Sequence, residues 1–379
     1  MRLTEADGKA LLRRHGVAAP LSVVLVPDAP APAELESWRG LVVKAQVLEG
    51  GRGKRGLVRR TTIGELPEAR AAIARIAGEV PVLVEEAVEI ERELYLALRV
   101  DGTSQMQEVL FAAEGGVEVE ETRGLRRIHI PADAPDAAER IHLAIRDALS
   151  PRLAAAVARL AARLARIARH EDLALLEINP LAVTRQGLIA CDAKLIRDDV
   201  ASARHDPDVT AMSAAIEHEA LSPLERRARA EGFALVEMPG DVALVSAGAG
   251  LGMFLMDLLA DHGLRAACFM DNQHGGPADT TEARLTVAFE IAARPEVKAI
   301  LFYTTLASRP LRDRIEGLLD FLARQPAPKP LFVGFAAAPS ATVGFDVAAA
   351  TDRLRQAGVA ALHDDPLALV RQAAEALAS

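Results

Sequence analysis

The chain runs to 379 residues, 50% of them hydrophobic, which is enough for two or three domains with substantial cores. A net charge of -9 and an aromatic content of 3% argue against a basic nucleic-acid surface and against stacking platforms for single strands. There is no apolar run of about 18 residues, no apolar leader after Met1-Arg2-Leu3-Thr4-Glu5, and only Cys191 and Cys268 as thiols, so neither a membrane span nor a disulfide scaffold is expected, and a reducing cytoplasm is the expected compartment.

Thr4 to His15 reads as a short helix stopped by Gly16. Leu21 to Val26 and Leu41 to Val47 read as strands, the second followed by a glycine-rich turn from Gly50 to Gly56. A helix is expected over Pro67 to Ala77 and a strand over Val82 to Glu85. Leu94 to Val100 and Val109 to Ala113 read as paired strands. From Arg152 to Arg169 the apolar residues Leu153, Val157, Leu160, Leu164 and Ile167 step by four and three, the pattern of an amphipathic helix. Strands follow at Leu173 to Glu177 and Leu188 to Asp192. Residues 200 to 232 are polar and charged and serve as the expected connection. Beyond Asp241 the rhythm is strand, glycine turn, helix, with strands at Val242–Val245, Ala266–Met270, Ala299–Tyr303, Leu331–Gly334 and Val359–Leu362. Such alternation predicts a parallel, doubly wound sheet. The expected domains are residues 1–230 and 231–379.

Three constellations carry chemistry. Lys44 on a strand precedes Gly50-Gly51-Arg52-Gly53-Lys54, a cation and a turn whose backbone N–H groups can approach a phosphate. The spacing is not that of a Walker A loop. Next, an apolar strand runs into the acidic stretch Glu85 to Glu93, whose carboxylates can accept from a ribose or a base. Third, Glu177-Ile178-Asn179-Pro180 is followed by Cys191-Asp192-Ala193-Lys194, oxygen ligands on neighbouring strands that suit Mg²⁺. Taken singly, each has a plain structural reading: a solvated basic turn, a solvated acidic face, and a strand-end cap with Asn179-Pro180 starting a turn.

In this order the three sets match an ATP-grasp nucleotide site. The chain resembles the β subunit of succinyl-CoA synthetase and its relatives, malate–CoA ligase among them. The resemblance rests on VVKAQVLEGGRGKRG, VLVEEAVEIERELYLAL, AAEGGVEVE and LALLEINPLAVTRQGLIACDAKL, in family order across residues 1 to about 195. It implies an N-terminal ATP-grasp domain and a C-terminal flavodoxin-like domain. It also implies roles by position. Lys44 contacts nucleotide phosphates, framed by Gly51, Arg52 and Gly53. Glu85 and Val88 lie at the hinge beside the base, and Glu93 holds the ribose. Asn179 and Asp192 coordinate Mg²⁺, and Glu177 faces a phosphohistidine carried by a partner α subunit. ATP would phosphorylate that histidine, the phosphoryl group would pass to a carboxylic acid, and CoA would displace it as a thioester, leaving ADP.

The C-terminal half departs from the family pattern. Gly248-Ala249-Gly250-Leu251-Gly252 opens a helix after a strand, but it fits a dinucleotide fingerprint poorly and reads better as tight packing with a helix N-terminus aimed at an anion. Ala247, after Ser246, stands where the family has asparagine. Asp271 to Pro277 keeps two glycines of a three-glycine loop, with His274 read as a loop residue. Thr304-Thr305-Leu306-Ala307-Ser308-Arg309 replaces a glycine pair. The family holds acid and phosphoryl group at the first and third of these places. Ser246, Ala247, Thr304, Thr305, Ser308 and Arg309 are therefore expected to shape a pocket for a different acid, with Arg309 gripping its carboxylate. The plain alternative makes Arg309 a surface residue before Pro310. Rival readings of the whole are a nucleotide-binding scaffold without activity and a stand-alone ATP-grasp carboxylate ligase.

Overall fold

A computed structural model describes residues 1–115, 124–131, 133–246, 248–272, 280–306, 311–337 and 346–378. Contacts divide the chain into two units, Met1–Glu219 and Ala220–Ser379.

The first unit opens with helix α1 (Glu5–Arg14). Thr4 caps it by accepting from the Asp7 N–H, acids fill its first turn, and Arg13 and Arg14 its last, as the helix dipole favours. Its buried stripe holds Leu11 and Leu12, but also Glu5 and Lys9. A small antiparallel sheet follows: β1 (Ser22–Leu25), β2 (Leu41–Ala45), β3 (Val58–Thr61) and, after helix α2 (Leu66–Ala77), β4 (Val82–Glu86), in the order β1-β4-β2-β3. The α2 residues Leu66, Ala69 and Ile73 cover one face of it and join Leu25, Leu41, Val43 and Val84 in a core. Trp38, the chain's single tryptophan, packs against that core.

The larger sheet begins with β5 (Arg92–Asp101), β6 (Met106–Ala112) and β7 (Arg126–Ile130). Helices α3 (Ala137–Ile145) and α4 (Pro151–His170) intervene before β8 (Leu173–Thr184), β9 (Gly187–Ala190) and β10 (Lys194–Arg197). The order is β10-β8-β5-β6-β7, with β9 on β8. The expected stripe of α4 is the buried one: Val157, Leu164 and Ile167 pack with Leu94, Leu96 and Leu176 of the sheet, and Leu153 and Leu160 flank them. The turn expected at Asn179-Pro180 does not form. β8 runs through it across a cis peptide, because pairing on both sides keeps the chain extended: Glu177 opposite Lys194 and Leu181 opposite Ala190.

The expected connection, residues 200–232, is more ordered than its polarity suggests. It holds two 3-10 turns, Asp199–Arg204 and Pro207–Thr210, then helices α5 (Ala211–Ala220) and α6 (Pro223–Ala230). Ser213 of α5 is buried against α1, giving its Oγ–H to Asp7 Oδ2 at 2.5 Å and accepting the Thr4 N–H at 2.8 Å. A capping box between Ser222 and Glu225 starts α6. The division at Glu219 and Ala220 puts α6 in the second unit, where it packs on the next strand; the expected boundary at residue 230 leaves it in the first.

In the second unit come β11 (Phe233–Glu237), β12 (Val242–Ser246), helix α7 (Ala249–Asp261), β13 (Cys268–Asn272), α8 (Thr281–Ala292), β14 (Ala299–Leu306), α9 (Leu311–Arg324), β15 (Leu331–Ala337), α10 (Val347–Gln356), β16 (Ala361–His363) and α11 (Pro366–Ala378). Strands β12-β14-β15-β16 form the parallel sheet. Alternation sorts its two faces: Val245, Ile300 and Val333 pack with Leu285 and Phe289 of α8 and Leu318 of α9, whereas Leu244, Leu301 and Phe332 pack with Leu255 of α7 and Leu369 of α11. The segment expected as one more parallel strand does two things. Ala266 bridges Val242 in parallel, and β13 proper pairs antiparallel with β11, a strand the sequence reading assigned to no element although Phe233 and Leu235 alternate inward. Gly334 is needed at the sheet centre, since a Cβ there would lie 2.2 Å from the Tyr303 ring. Among the described residues no helix is long and apolar enough to cross a membrane.

Leu41 is 1% exposed at the centre of the small sheet's core. Leu41→Ala is expected to cost about 2–5 kcal/mol. Urea unfolding followed by Trp38 fluorescence, which reports that core directly, measures it.

Candidate active site

The face of the small sheet away from α2 meets α1 through charge. Register sets Val42 opposite Glu85 and Lys44 opposite Leu83, so Lys44 and Glu85 are diagonal neighbours on one face. Lys44 Nζ lies 2.7 Å from Glu5 Oε1 and 2.8 Å from Glu85 Oε2, and it donates to the Cys191 carbonyl at 2.6 Å. Lys9 Nζ repeats the pattern, 2.6 Å from Glu5 Oε1, 2.6 Å from Glu85 Oε1 and 2.7 Å from the same carbonyl. Each ammonium has three N–H groups, so both are saturated. Arg52 completes the set, 2.7 Å from both Glu5 Oε2 and Asp192 Oδ1. Three cations thus face three carboxylates, and Lys9, Glu5 and Glu85 are almost wholly buried.

Burial alone would favour neutral forms, but the pairing reverses this. The Glu5 carboxyl is held well below the usual range by Lys44, Lys9 and Arg52, and the Lys44 ammonium well above its usual range by Glu5 and Glu85. The Cys191 thiol is pushed up to about 11 by burial, which keeps it protonated and unreactive.

This network forms one wall of a cavity of about 890 Å³. Lys44, Gly51, Arg52, Gly53, Glu85, Val88, Glu93, Glu177, Asn179 and Asp192, the ten residues singled out in the N-terminal half, all line it. The glycine loop arrives from β2, with Gly51 at φ +71°, a backbone conformation that favours glycine. Glu177 and Asn179 alternate outward from β8 while Leu176 and Ile178 are fully buried behind them. Asn179 lies on β8 and Asp192 in the turn between β9 and β10, where the Cys191 N–H donates to the Pro180 carbonyl at 3.1 Å and holds the turn against β8. Asp192 Oδ1 accepts from Arg52 and from the Ala193 N–H, which leaves Oδ2 without a hydrogen bond among the described residues. One amide oxygen and one carboxylate oxygen on the wall of one cavity fit Mg²⁺, which keeps most of its water.

Glu85, expected beside a base, engages both oxygens with the lysines. The sequence assigns no role to Glu5, Lys9 or Tyr95, and names Lys194 only in the run that follows Asp192. Tyr95 and Lys194 line the cavity with Glu5, and Lys194 Nζ is 3.9 Å from Glu177 Oε2. For Glu5 and Lys9 a signal existed: charges four apart inside the apolar stripe of α1.

The six residues singled out in the second unit are described only in part. Ser246 ends β12, is 2% exposed, and its Oγ has no hydrogen-bond partner among the described residues. Thr304 on β14 is buried and accepts from Arg314 Nη1 at 2.8 Å. Pairing of Ser246 with Tyr303 puts both at the same carboxyl edge of the sheet, beside the start of α7, the edge where open parallel sheets take ligands. The Thr305 side chain, Ala247, Ser308, Arg309 and His274 lie outside the described residues.

Residues 2–183 match the family model of an ATP-grasp domain. The β subunit of an ADP-forming succinate–CoA ligase from Ignicoccus hospitalis is 33% identical over 345 residues, 87% of this chain and 89% of that one. Its counterpart from Rubrobacter xylanophilus is 35% identical over 350 residues, 88% of each. A GDP-forming β subunit from Thermus thermophilus is 33% identical over 79% of this chain and 81% of that one. Among solved structures, ATP citrate lyase from Methanothrix soehngenii in complex with citrate and coenzyme A aligns with a TM-score of 0.71 over 100% of this chain and 99% of that one; at 19% identity this is a likeness of fold.

The Glu5 carboxyl titrates lower in the folded chain than its ordinary value of 4.5. Its contribution to stability is therefore complete above that value and is lost as pH falls through the folded one. Glu5→Gln is expected to destabilise the first unit by about 3–5 kcal/mol at neutral pH, because it leaves a buried cation unpaired. The gap between parent and variant should stay constant from neutral to alkaline pH and narrow only below the ordinary carboxylate range. Denaturant unfolding across pH measures it.

Proposed function

The chain belongs to the succinate–CoA ligase β-subunit family, and from that premise we propose that it is the nucleotide-binding subunit of an NDP-forming acid–CoA ligase. The reaction is ATP, a small carboxylic acid and CoA to acyl-CoA, ADP and phosphate. The observation that carries the reading is the convergence of Lys44, Arg52, Glu177, Asn179 and Asp192 on one cavity.

ATP lies with its phosphates between the glycine loop and Lys44, and with its ribose at Glu93 and its base near Val88. All three Lys44 donors are engaged, so a phosphate oxygen takes the place of one carboxylate or of the Cys191 carbonyl. The acceptors that remain, with Glu85 itself held by Lys9, keep the ammonium in position. Asn179 and Asp192 would hold Mg²⁺, which when bound would neutralise phosphate charge, most of what phosphoryl transfer needs. A histidine of a partner α subunit attacks the γ-phosphorus, and the bridging oxygen leaves with ADP. Glu177, 22% exposed at its side chain, accepts the imidazole N–H and orients the ring. The phosphoryl group passes to the acid as an acyl phosphate. The CoA thiol attacks the acyl carbon and releases phosphate. Ser246 and Thr304, at the carboxyl edge of the second unit's sheet, belong to the acid pocket, and their sequence neighbours Ala247, Thr305, Ser308 and Arg309 are assigned to the same pocket from sequence.

Two measurements test this. Chain co-purified with its partner is given γ-labelled ATP and Mg²⁺. An acid-labile label is expected on the partner, reduced about a hundredfold or more by Glu177→Ala. Absence of both label and nucleotide binding would sink the reading. In steady-state assays Arg309→Ala should raise KM for the acid about tenfold or more with nucleotide binding intact; an unchanged KM removes Arg309 from the pocket.

A further inference from the structure

We propose that His15, His170 and Glu171 form a binding site for a divalent transition metal, with zinc the ion their donors suit best. None of the three lines the nucleotide cavity. His15 caps the end of α1 and Glu171 caps the end of α4, directly after His170. Two helix C-termini therefore bring the partial negative charge of their last carbonyls toward one place, where a cation is favoured.

One ligand atom from each residue lies within 4.8 Å of those of the other two. His15 Nε2 is 2.6 Å from Glu171 Oε1, and His170 Nδ1 is 3.4 Å from the same oxygen. The imidazoles stand edge to face, their centroids 5.4 Å apart. In a tetrahedral zinc site with ligand bonds of about 2.0–2.1 Å, donor atoms stand about 3.3–3.4 Å apart. The His170 contact already has that spacing. The His15 contact is a direct hydrogen bond that opens by under about 1 Å to admit the ion.

The surroundings hold the carboxylate as an outer ligand shell does. Arg197 Nη2 donates to Glu171 Oε2 at 2.7 Å, and its Nε to the Glu171 carbonyl at 3.1 Å. His205 Nδ1 is 3.6 Å from the same Oε2, and its Nε2 is 2.8 Å from Asp172 Oδ2. Glu171 is thus fixed through one oxygen and presents the other to the two imidazoles. Arg197, and Arg163, which donates to the His15 carbonyl, are cations in contact with the three residues; Arg204 lies one step out, donating to Asp172 Oδ1 at 2.8 Å. His170 is 73% exposed and Glu171 14%, which gives the ion an entry path and a firm base. Two imidazoles and one carboxylate leave a fourth position for water. Zinc bound here ties the end of α1 to the end of α4.

The test uses the full-length chain, free of affinity tag, stripped with chelator and titrated calorimetrically with zinc chloride at neutral pH. One zinc per chain is expected, with affinity lowered about tenfold or more in each of His15→Ala, His170→Ala and Glu171→Gln. Cobalt chloride should give the visible absorption of a four-coordinate ion in the parent chain and lose it in His170→Ala. That variant changes an exposed side chain, and an unaltered circular dichroism spectrum and nucleotide affinity establish that it folds. Zinc uptake equal in the parent and all three variants, or no saturable uptake by the parent, would overturn the proposal.

Discussion

Six buried or half-buried charges decide how the first unit is built. Lys9, Lys44 and Arg52 face Glu5, Glu85 and Asp192 at 2.6 to 2.8 Å. Taking each such ion out of water costs several kcal/mol, and only close pairing returns it. The set therefore holds together or fails together. It draws on α1, β2, the glycine loop, β4 and the turn between β9 and β10, so both sheets of the unit meet in it. The Cys191 carbonyl, accepting from both lysines, carries the register of the large sheet into the small one.

The same balance constrains what the network can take up. Lys44 is already saturated, so an anion that reaches it must displace a carboxylate or the Cys191 carbonyl. On the proposed reading a nucleotide phosphate does so because it brings several acceptor oxygens, and Mg²⁺ at Asn179 and Asp192 would offset much of its charge. Helix α1 connects this centre to the histidine cluster. Glu5 and His15 are ten residues apart, about 15 Å along the helix. A metal at one end of α1 would restrain a helix whose other end carries two members of the ion network.

The second unit contributes by topology. Ser246 ends β12 opposite Tyr303, Thr304 follows on β14, and α7 starts after Gly248 with the unpaired N–H groups of a helix N-terminus. Gly334 shows how tightly the sheet is packed behind it, since only a missing Cβ lets the Tyr303 ring pass.

Much of this is local and was legible in the sequence. The stripe of α4, the pairing of β5 with β6 and the alternation of the second unit are written in periodicity, because short-range sterics and burial set them. That the ten N-terminal residues gather around one cavity follows from a few residue types in a set order, the order that phosphate chemistry would need. What sequence left open depended on contacts between distant segments. Asn179-Pro180 reads as a turn until Lys194 and Ala190 pair around it. Phe233 to Glu237 has no assignment until β13 lies beside it. Glu85 reads as a ligand for a base until Lys9, 76 positions away, is found holding it. Residue types and their order determined that this chain handles a phosphorylated nucleotide on two α/β units. Only the tertiary structure decided which charges neutralise one another, because Coulomb attraction depends on distance in space and on the water excluded between the groups, and neither quantity is contained in the order of the residues.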